Sequence, residues 1–205
     1  MNLAFQHVFE PGTDPSAPPL LLLHGTGGDE HDLLPLGRAL SPGSALLSPR
    51  GLVSERGALR FFARLAEGVF DPAEVSRRTH ELADFIAAAT RAHGLDPARL
   101  TAVGLSNGAN IAATLFQLRP ESLAAAVLLR PMVVLDQPAP PGSLTGRRVL
   151  IASGTRDPIV PNSHPPRLAE LLRAGGATVD VHTAPAGHGL VQDDLTVGRK
   201  FFAGR

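Results

Sequence analysis

The strongest constraint on how this chain folds is an alternation. Short runs rich in Leu, Val, Ile and Ala, each of strand length, are separated by longer segments in which apolar residues recur at helical spacing. The strand-length runs are Leu20 to Leu23, Ala45 to Leu47, Leu100 to Val103, Ala125 to Leu129, Val149 to Ser153 and Val179 to Thr183. Most are continuously apolar, as strands covered on both faces are, and parallel strands need crossovers long enough to hold a helix. Pro72 to His93 supplies one, with Val75, Thr79, Leu82, Phe85, Ile86 and Ala89 on a single stripe and Gly94 at the C-terminal capping position. Asn107 to Leu118 and Pro166 to Ala174 follow as helices, Phe5 to Phe9 reads as an edge strand, and Val191 to Phe201 reads as a last helix. The pattern predicts an α/β fold, a mostly parallel sheet flanked by helices.

With 205 residues and 43% hydrophobic content, the chain can bury one sizeable core, and residues 1–205 read as one domain. The Pro-rich stretch Gln137 to Gly142 lies between two buried strands, so it is expected to be a surface loop and not a linker. Formal net charge is zero, which leaves no basic face for nucleic acid. The lack of cysteine excludes disulfides, thiolate metal sites and a cysteine nucleophile together. Met1 to Asp14 lacks the basic start and long apolar run of a leader, and no apolar stretch of about 18 residues could span a bilayer. A cytoplasmic protein is the expectation, and a homodimer is left open.

The chemistry concentrates at Gly104-Leu105-Ser106-Asn107-Gly108, a G-x-S-x-G run between a strand and a helix. In that context it is a nucleophile elbow, a tight turn that lifts a serine hydroxyl above the sheet beside a helix N-terminus. A serine hydroxyl is a weak nucleophile, so it needs a base, and the base needs an acid to fix its tautomer. Asp157 and His188 each follow a strand, in the chain order Ser, Asp, His, and so should emerge at the same carboxyl-end rim of the sheet. His182 and Asp180 fall inside a strand, and Asp193 and Asp194 fall on the helix after it, which makes them weaker partners. His24-Gly25-Thr26-Gly27-Gly28 follows the first buried strand as an oxyanion loop does, assigning the N–H groups of Thr26 and Asn107 as donors. A phosphate-binding turn is disfavoured, because neither G-x-G-x-x-G spacing nor a Walker lysine is present. The connection Arg50 to Phe70 can lie over this rim, and Phe61 and Phe62 are the expected apolar wall of a substrate pocket.

These segments, together with Arg60-Phe61-Phe62, Asp157-Pro158-Ile159-Val160-Pro161 and Gly187-His188, resemble the phospholipase/carboxylesterase family of α/β-hydrolases, in its hydroquinone-associated esterase branch, related to acyl-protein thioesterases. The resemblance implies a compact α/β-hydrolase fold with a minimal lid, no cofactor or metal, and hydrolysis of a small-molecule ester with a short acyl or aryl group. Asn107-Gly108 stands where the thioesterases usually carry Gln-Gly, which departs from a lipidated-protein substrate. Two other readings stay open: a thioesterase or acyltransferase of the same fold, and a non-catalytic hydrolase-fold receptor.

Overall fold

The computed structural model describes residues 4–204; residues 1–3, which open the stretch inspected for a leader, and residue 205 lie outside that range. In chain order the elements are β1 (His7–Glu10), β2 (Leu20–Leu23), α1 (Leu34–Leu40), β3 (Leu46–Pro49), β4 (Val53–Glu55), β5 (Ala58–Arg60), α2 (Pro72–His93), β6 (Thr101–Leu105), α3 (Asn107–Leu118), β7 (Ala125–Leu129), β8 (Arg148–Gly154), α4 (His164–Ala174), β9 (Thr178–Ala184) and α5 (Gln192–Ala203). Among the described residues, a 7-stranded sheet has the order β1-β3-β2-β6-β7-β8-β9, and β4 and β5 pair apart from it. β1 runs antiparallel to β3, and the other neighbours in the large sheet are parallel.

Successive side chains on a strand leave opposite faces, and this splits the core in two. Leu21, Leu23, Ala126, Leu128 and Ile151 join Leu82 and Phe85 of α2, Phe116 of α3 and Leu168 of α4. Leu20, Leu22, Val103, Val127 and Leu129 pack instead with Leu34 and Leu40 of α1 and Phe201 of α5. The sheet is therefore a middle layer with helices on both sides, an α/β-hydrolase arrangement. Every leucine of β2 is buried, each contributing about 1.5–3 kcal/mol relative to exposure.

The longest helix starts and stops where its sequence dictates. Asp71 accepts a hydrogen bond from the Ala73 N–H, Pro72 takes the first turn, and Gly94 adopts the left-handed conformation at φ 65° that closes α2.

Two elements carry no periodic signal in the sequence. α1 is short, carries Pro35 as its second residue and contains Gly37, whose absent side chain lets the helix lie on the sheet; a Cβ there would meet Leu22 Cδ1 at 3.0 Å. The β4–β5 hairpin turns at Arg56 and Gly57, with φ values of 51° and 90°, and its short strands do not alternate cleanly. β9 is an edge strand with Val181 exposed, so it is not covered on both faces as the central strands are.

Candidate active site

The chain passes from β2 outward to β3 and then returns to the other side of β2 with β6. Ligand crevices in open α/β sheets form at such a reversal, outside the carboxyl ends of the strands. The loop after β2 and the turn after β6 meet there, and a cleft of about 390 Å³ opens over Ser106, Thr26 and His188.

Ser106 sits between β6 and α3 at φ 51° and ψ −114°, a backbone conformation that L residues rarely adopt. Its N–H donates to the Leu129 carbonyl at 2.8 Å, which holds the turn to β7. The neighbouring glycines are required by contact. A Cβ on Gly108 would lie 1.9 Å from the Leu23 carbonyl oxygen, and one on Gly104 would lie 2.6 Å from the Gly108 carbonyl oxygen. Only with hydrogen at both positions can β2, β6 and α3 close around the serine.

Asp157 follows β8 and His188 follows β9, and both reach this turn. His188 Nε2 lies 2.9 Å from Ser106 Oγ, and its Nδ1 lies 2.8 Å from Asp157 Oδ2. The Asp157 side chain is 1% exposed. Burial alone would raise its pKa, but bonds from the Ile159 N–H, from His188 and from the Val160 N–H together outweigh it and hold the carboxyl below the usual range. Asp157 is thus kept as an acceptor, and its two oxygens serve different partners.

The loop after β2 is pinned at several points. His24 Nε2 accepts from the Gly51 N–H at 2.9 Å, so the proton lies on Nδ1, which donates to the Gly25 carbonyl at 2.7 Å. Burial lowers the His24 pKa, and the neutral ring suits those two bonds. Gly27 donates to the Leu59 carbonyl on β5, and the Arg60 guanidinium donates to Thr26 Oγ1 at 2.5 Å. Asn107 Oδ1 accepts from the Phe61 N–H at 2.7 Å, tying the start of α3 to the segment after the hairpin.

The connection Arg50 to Phe70 does border the cleft, but not through the residues expected from the sequence. Phe61 and Phe62 are 2% and 0% exposed and belong to the core, Phe61 against the His24 ring with centroids 4.7 Å apart. They therefore do not form the pocket wall. One wall carries Arg60, Arg64 and Glu67, and the apolar part comes from Phe70, Met132 and Ile159. The reason is local: β5 ends at Arg60, Phe61 and Phe62 turn into the core, and the chain is exposed from Leu65 to Val69 before Phe70 packs back at the cleft. Arg60, Arg64 and Met132 could not be singled out beforehand, since nothing in their spacing distinguishes them from ordinary surface residues.

The remaining histidines and acids lie elsewhere. His182 pairs with Asp193 at 2.6 Å on the outside of β9, and Asp194 is buried against Arg130. Among the described residues, no group of three or more His, Asp or Glu side chains could hold a metal ion, and no helix is long and apolar enough to cross a membrane.

A strained serine on a strand-to-helix turn, at the carboxyl edge of a mostly parallel sheet covered by helices on both faces, marks an α/β-hydrolase. Residues 61–200 match the dienelactone hydrolase family, and the chain belongs to it. MhqD of Bacillus subtilis (strain 168) is 43% identical over 197 residues, covering 96% of this chain and 97% of that protein. Among solved structures, the Bacillus cereus carboxylesterase superposes with a TM-score of 0.95 at 41% identity, covering 99% of this chain and 95% of that one. The carboxylesterase from Mesorhizobium loti gives a TM-score of 0.84 at 35% identity, with 92% and 89% covered. Arabidopsis thaliana SOBER1, at 18% identity and a TM-score of 0.80, shares the fold, covering 91% of this chain and 98% of that one. The protein is a hydrolase of the esterase type.

Proposed function

We propose that this esterase is a serine carboxylesterase acting on short-chain acyl or aryl esters through an acyl-enzyme, in one domain spanning residues 1–205. The hydrogen-bonded chain from Ser106 Oγ through His188 to Asp157, at 2.9 Å and 2.8 Å, carries the proposal. Ser106 Oγ attacks the ester carbonyl carbon as His188 Nε2 takes its proton, and the carbonyl electron pair moves onto oxygen. The Thr26 and Asn107 N–H groups receive that oxyanion; the first N–H groups of α3 have no intrahelical acceptor, so the Asn107 donor suits the task. The tetrahedral adduct collapses, the C–O bond to the alcohol breaks, and His188 returns its proton to the leaving oxygen. Water then repeats the sequence on the acyl-enzyme and releases the acid. Asp157 keeps the Nδ1–H of His188 in place throughout.

The open cleft, walled in part by Phe70, Met132 and Ile159, supports short acyl or aryl groups over long lipids. A fluorophosphonate probe followed by peptide mapping tests the nucleophile. Label on Ser106 that is lost in Ser106→Ala is the expected result. Label on Ser48, Ser153 or Ser163, or full esterase activity in Ser106→Ala, would refute it. Partition of the acyl group between water and added alcohols or thiols distinguishes hydrolysis from acyl transfer, and a series of aryl esters of graded length reads the acyl preference.

A further inference from the structure

The end of β7 carries a second unusual residue directly after Leu129. Arg130 adopts φ 55°, a left-handed conformation that a long side chain rarely takes, and its side chain is 0% exposed. A buried guanidinium must have its donors satisfied, and it has five. All five are used. Nε donates to the Gly187 carbonyl at 3.0 Å, and the two nitrogens of the fork meet the Asp194 carboxylate at 2.9 Å and 2.8 Å. The remaining bonds run to the Ala152 carbonyl at 3.2 Å and the Gly189 carbonyl at 3.1 Å. The acceptors Gly187 and Gly189 flank His188. Asp194 is itself 3% exposed, and its Oδ2 also accepts from the Val191 N–H at the start of α5.

We propose that Arg130, neutralised by Asp194, is a positioning residue that fixes the His188 imidazole by gripping the carbonyls on either side of it. The inference rests on the His188 role proposed above. In the loop from Pro185 to Val191 the first half is held by Arg156, whose N–H donates to the Ala186 carbonyl at 3.0 Å and whose guanidinium donates to the Pro185 carbonyl. The stretch Gly187-His188-Gly189, in contrast, has a glycine on each side of the ring to be placed. The bonds to the Gly187 and Gly189 carbonyls, both from one rigid planar group, fix the path of that stretch and with it the height of the ring above the sheet. The same strand end holds the nucleophile, because the Ser106 N–H donates to the carbonyl of Leu129. A lysine could keep the charge pair but would present one point of donors instead of a fork, and could not span both carbonyls.

Removing Arg130 alone leaves a buried unpaired carboxylate, so the test removes the pair. Arg130→Met with Asp194→Leu replaces the ions by apolar groups of similar volume, which buried pairs often tolerate. Arg130→Lys is the second variant and retains the charge. Both are assayed on an activated aryl ester, per folded molecule by circular dichroism, in the parent protein and in a His188→Ala background. In the parent, kcat is expected to fall by on the order of 10²-fold, the scale of a misplaced catalytic group, with KM within about threefold. In the His188→Ala background the same changes should alter kcat by less than about threefold, since a residue acting through His188 has nothing left to position. A kcat within about threefold of the parent in either variant, or an equal loss in both backgrounds, would overturn the proposal. Full activity in His188→Ala by itself would instead overturn the assignment of the base.

Discussion

Replacing Phe62 and Phe70 separately by alanine distinguishes core from pocket wall within one short connection. Phe62 is fully buried and meets Phe70 edge to face at 5.5 Å, with the Arg60 guanidinium 5.9 Å from its ring centre. Truncating a fully buried phenylalanine costs about 3–5 kcal/mol. For a chain of this size each kcal/mol moves Tm by about 2–4 °C, so Phe62→Ala is expected to lower Tm by roughly 6–20 °C. Its KM for short aryl esters should stay near the parent value, because Phe62 does not line the cleft. Phe70 is only partly buried, packs on the core from outside and faces the cleft. Phe70→Ala should therefore cost about 1 kcal/mol of stability, a fraction of a full burial. Loss of a comparable contact to the substrate would raise KM by about fivefold or shift the preferred acyl length. Thermal melts by circular dichroism, with KM across aryl esters of graded length, check both variants. A changed chain-length preference in Phe62→Ala with an unchanged Tm would refute this division, as would a Phe70→Ala protein that is strongly destabilised yet kinetically unaltered.

Asp157→Asn is expected to lower kcat by up to about ten-thousand-fold with little change in Tm, through loss of the correct His188 tautomer; steady-state kinetics checks this, and full activity would place the acid elsewhere. Burial holds His24 below its ordinary pKa of 6.5, so near and below that value the unfolded chain binds a proton that the folded ring resists. The resulting stability is fully present above the unfolded value and is lost as pH falls toward the depressed folded one. Urea unfolding in His24→Gln should therefore show a shallower loss of stability below about pH 6.5, and an unchanged slope would count against it. Gly108→Ala should fail to fold or lose activity, since the added Cβ meets the Leu23 carbonyl oxygen at 1.9 Å, whereas Gly189→Ala, with nothing within 4 Å, should fold as the parent does; melting curves of the two compare them directly.

Much of the sheet was legible because its strands are buried on both faces and read as continuous apolar runs. Leu20–Leu23 and Ala125–Leu129 match their expected bounds, as do the helices Pro72–His93 and Asn107–Leu118. α1 and the β4–β5 hairpin were not legible. A helix of seven residues that needs Gly37 against Leu22 and carries a proline in its first turn has no propensity signal, and a hairpin outside the main sheet has little core to pattern against. The positions of Ser106, Asp157 and His188 at strand ends could be read, since each follows a strand run directly. The cleft wall could not. Whether a phenylalanine faces solvent, substrate or core depends on where the chain bends after β5, and the run Arg60-Phe61-Phe62 is compatible with all three. Arg130 was equally silent, because its partners come from β8, from the loop around His188 and from α5, all distant in sequence.

The geometry at the end of β7 bears on why a strained serine turn keeps its position relative to a glycine-rich histidine loop. A serine at φ 51° persists only if its surroundings over-determine it. Part of that constraint comes from the Leu129 carbonyl, which takes the Ser106 N–H, and part from the close contacts at Gly104 and Gly108. The adjacent residue, Arg130, turns away at positive φ, which sends its side chain toward the His188 loop instead of along the strand. The Ser106 turn and the His188 loop are therefore both tied to two consecutive residues, Leu129 at the end of β7 and Arg130 just after it, and β7 lies in the parallel sheet between β6 and β8. The distance between Ser106 Oγ and His188 Nε2 then depends on hydrogen bonds to one strand end and less on the loops that carry the two side chains. On the proposed assignment, a site built this way tolerates variation along the cleft walls without moving the Ser106–His188 pair.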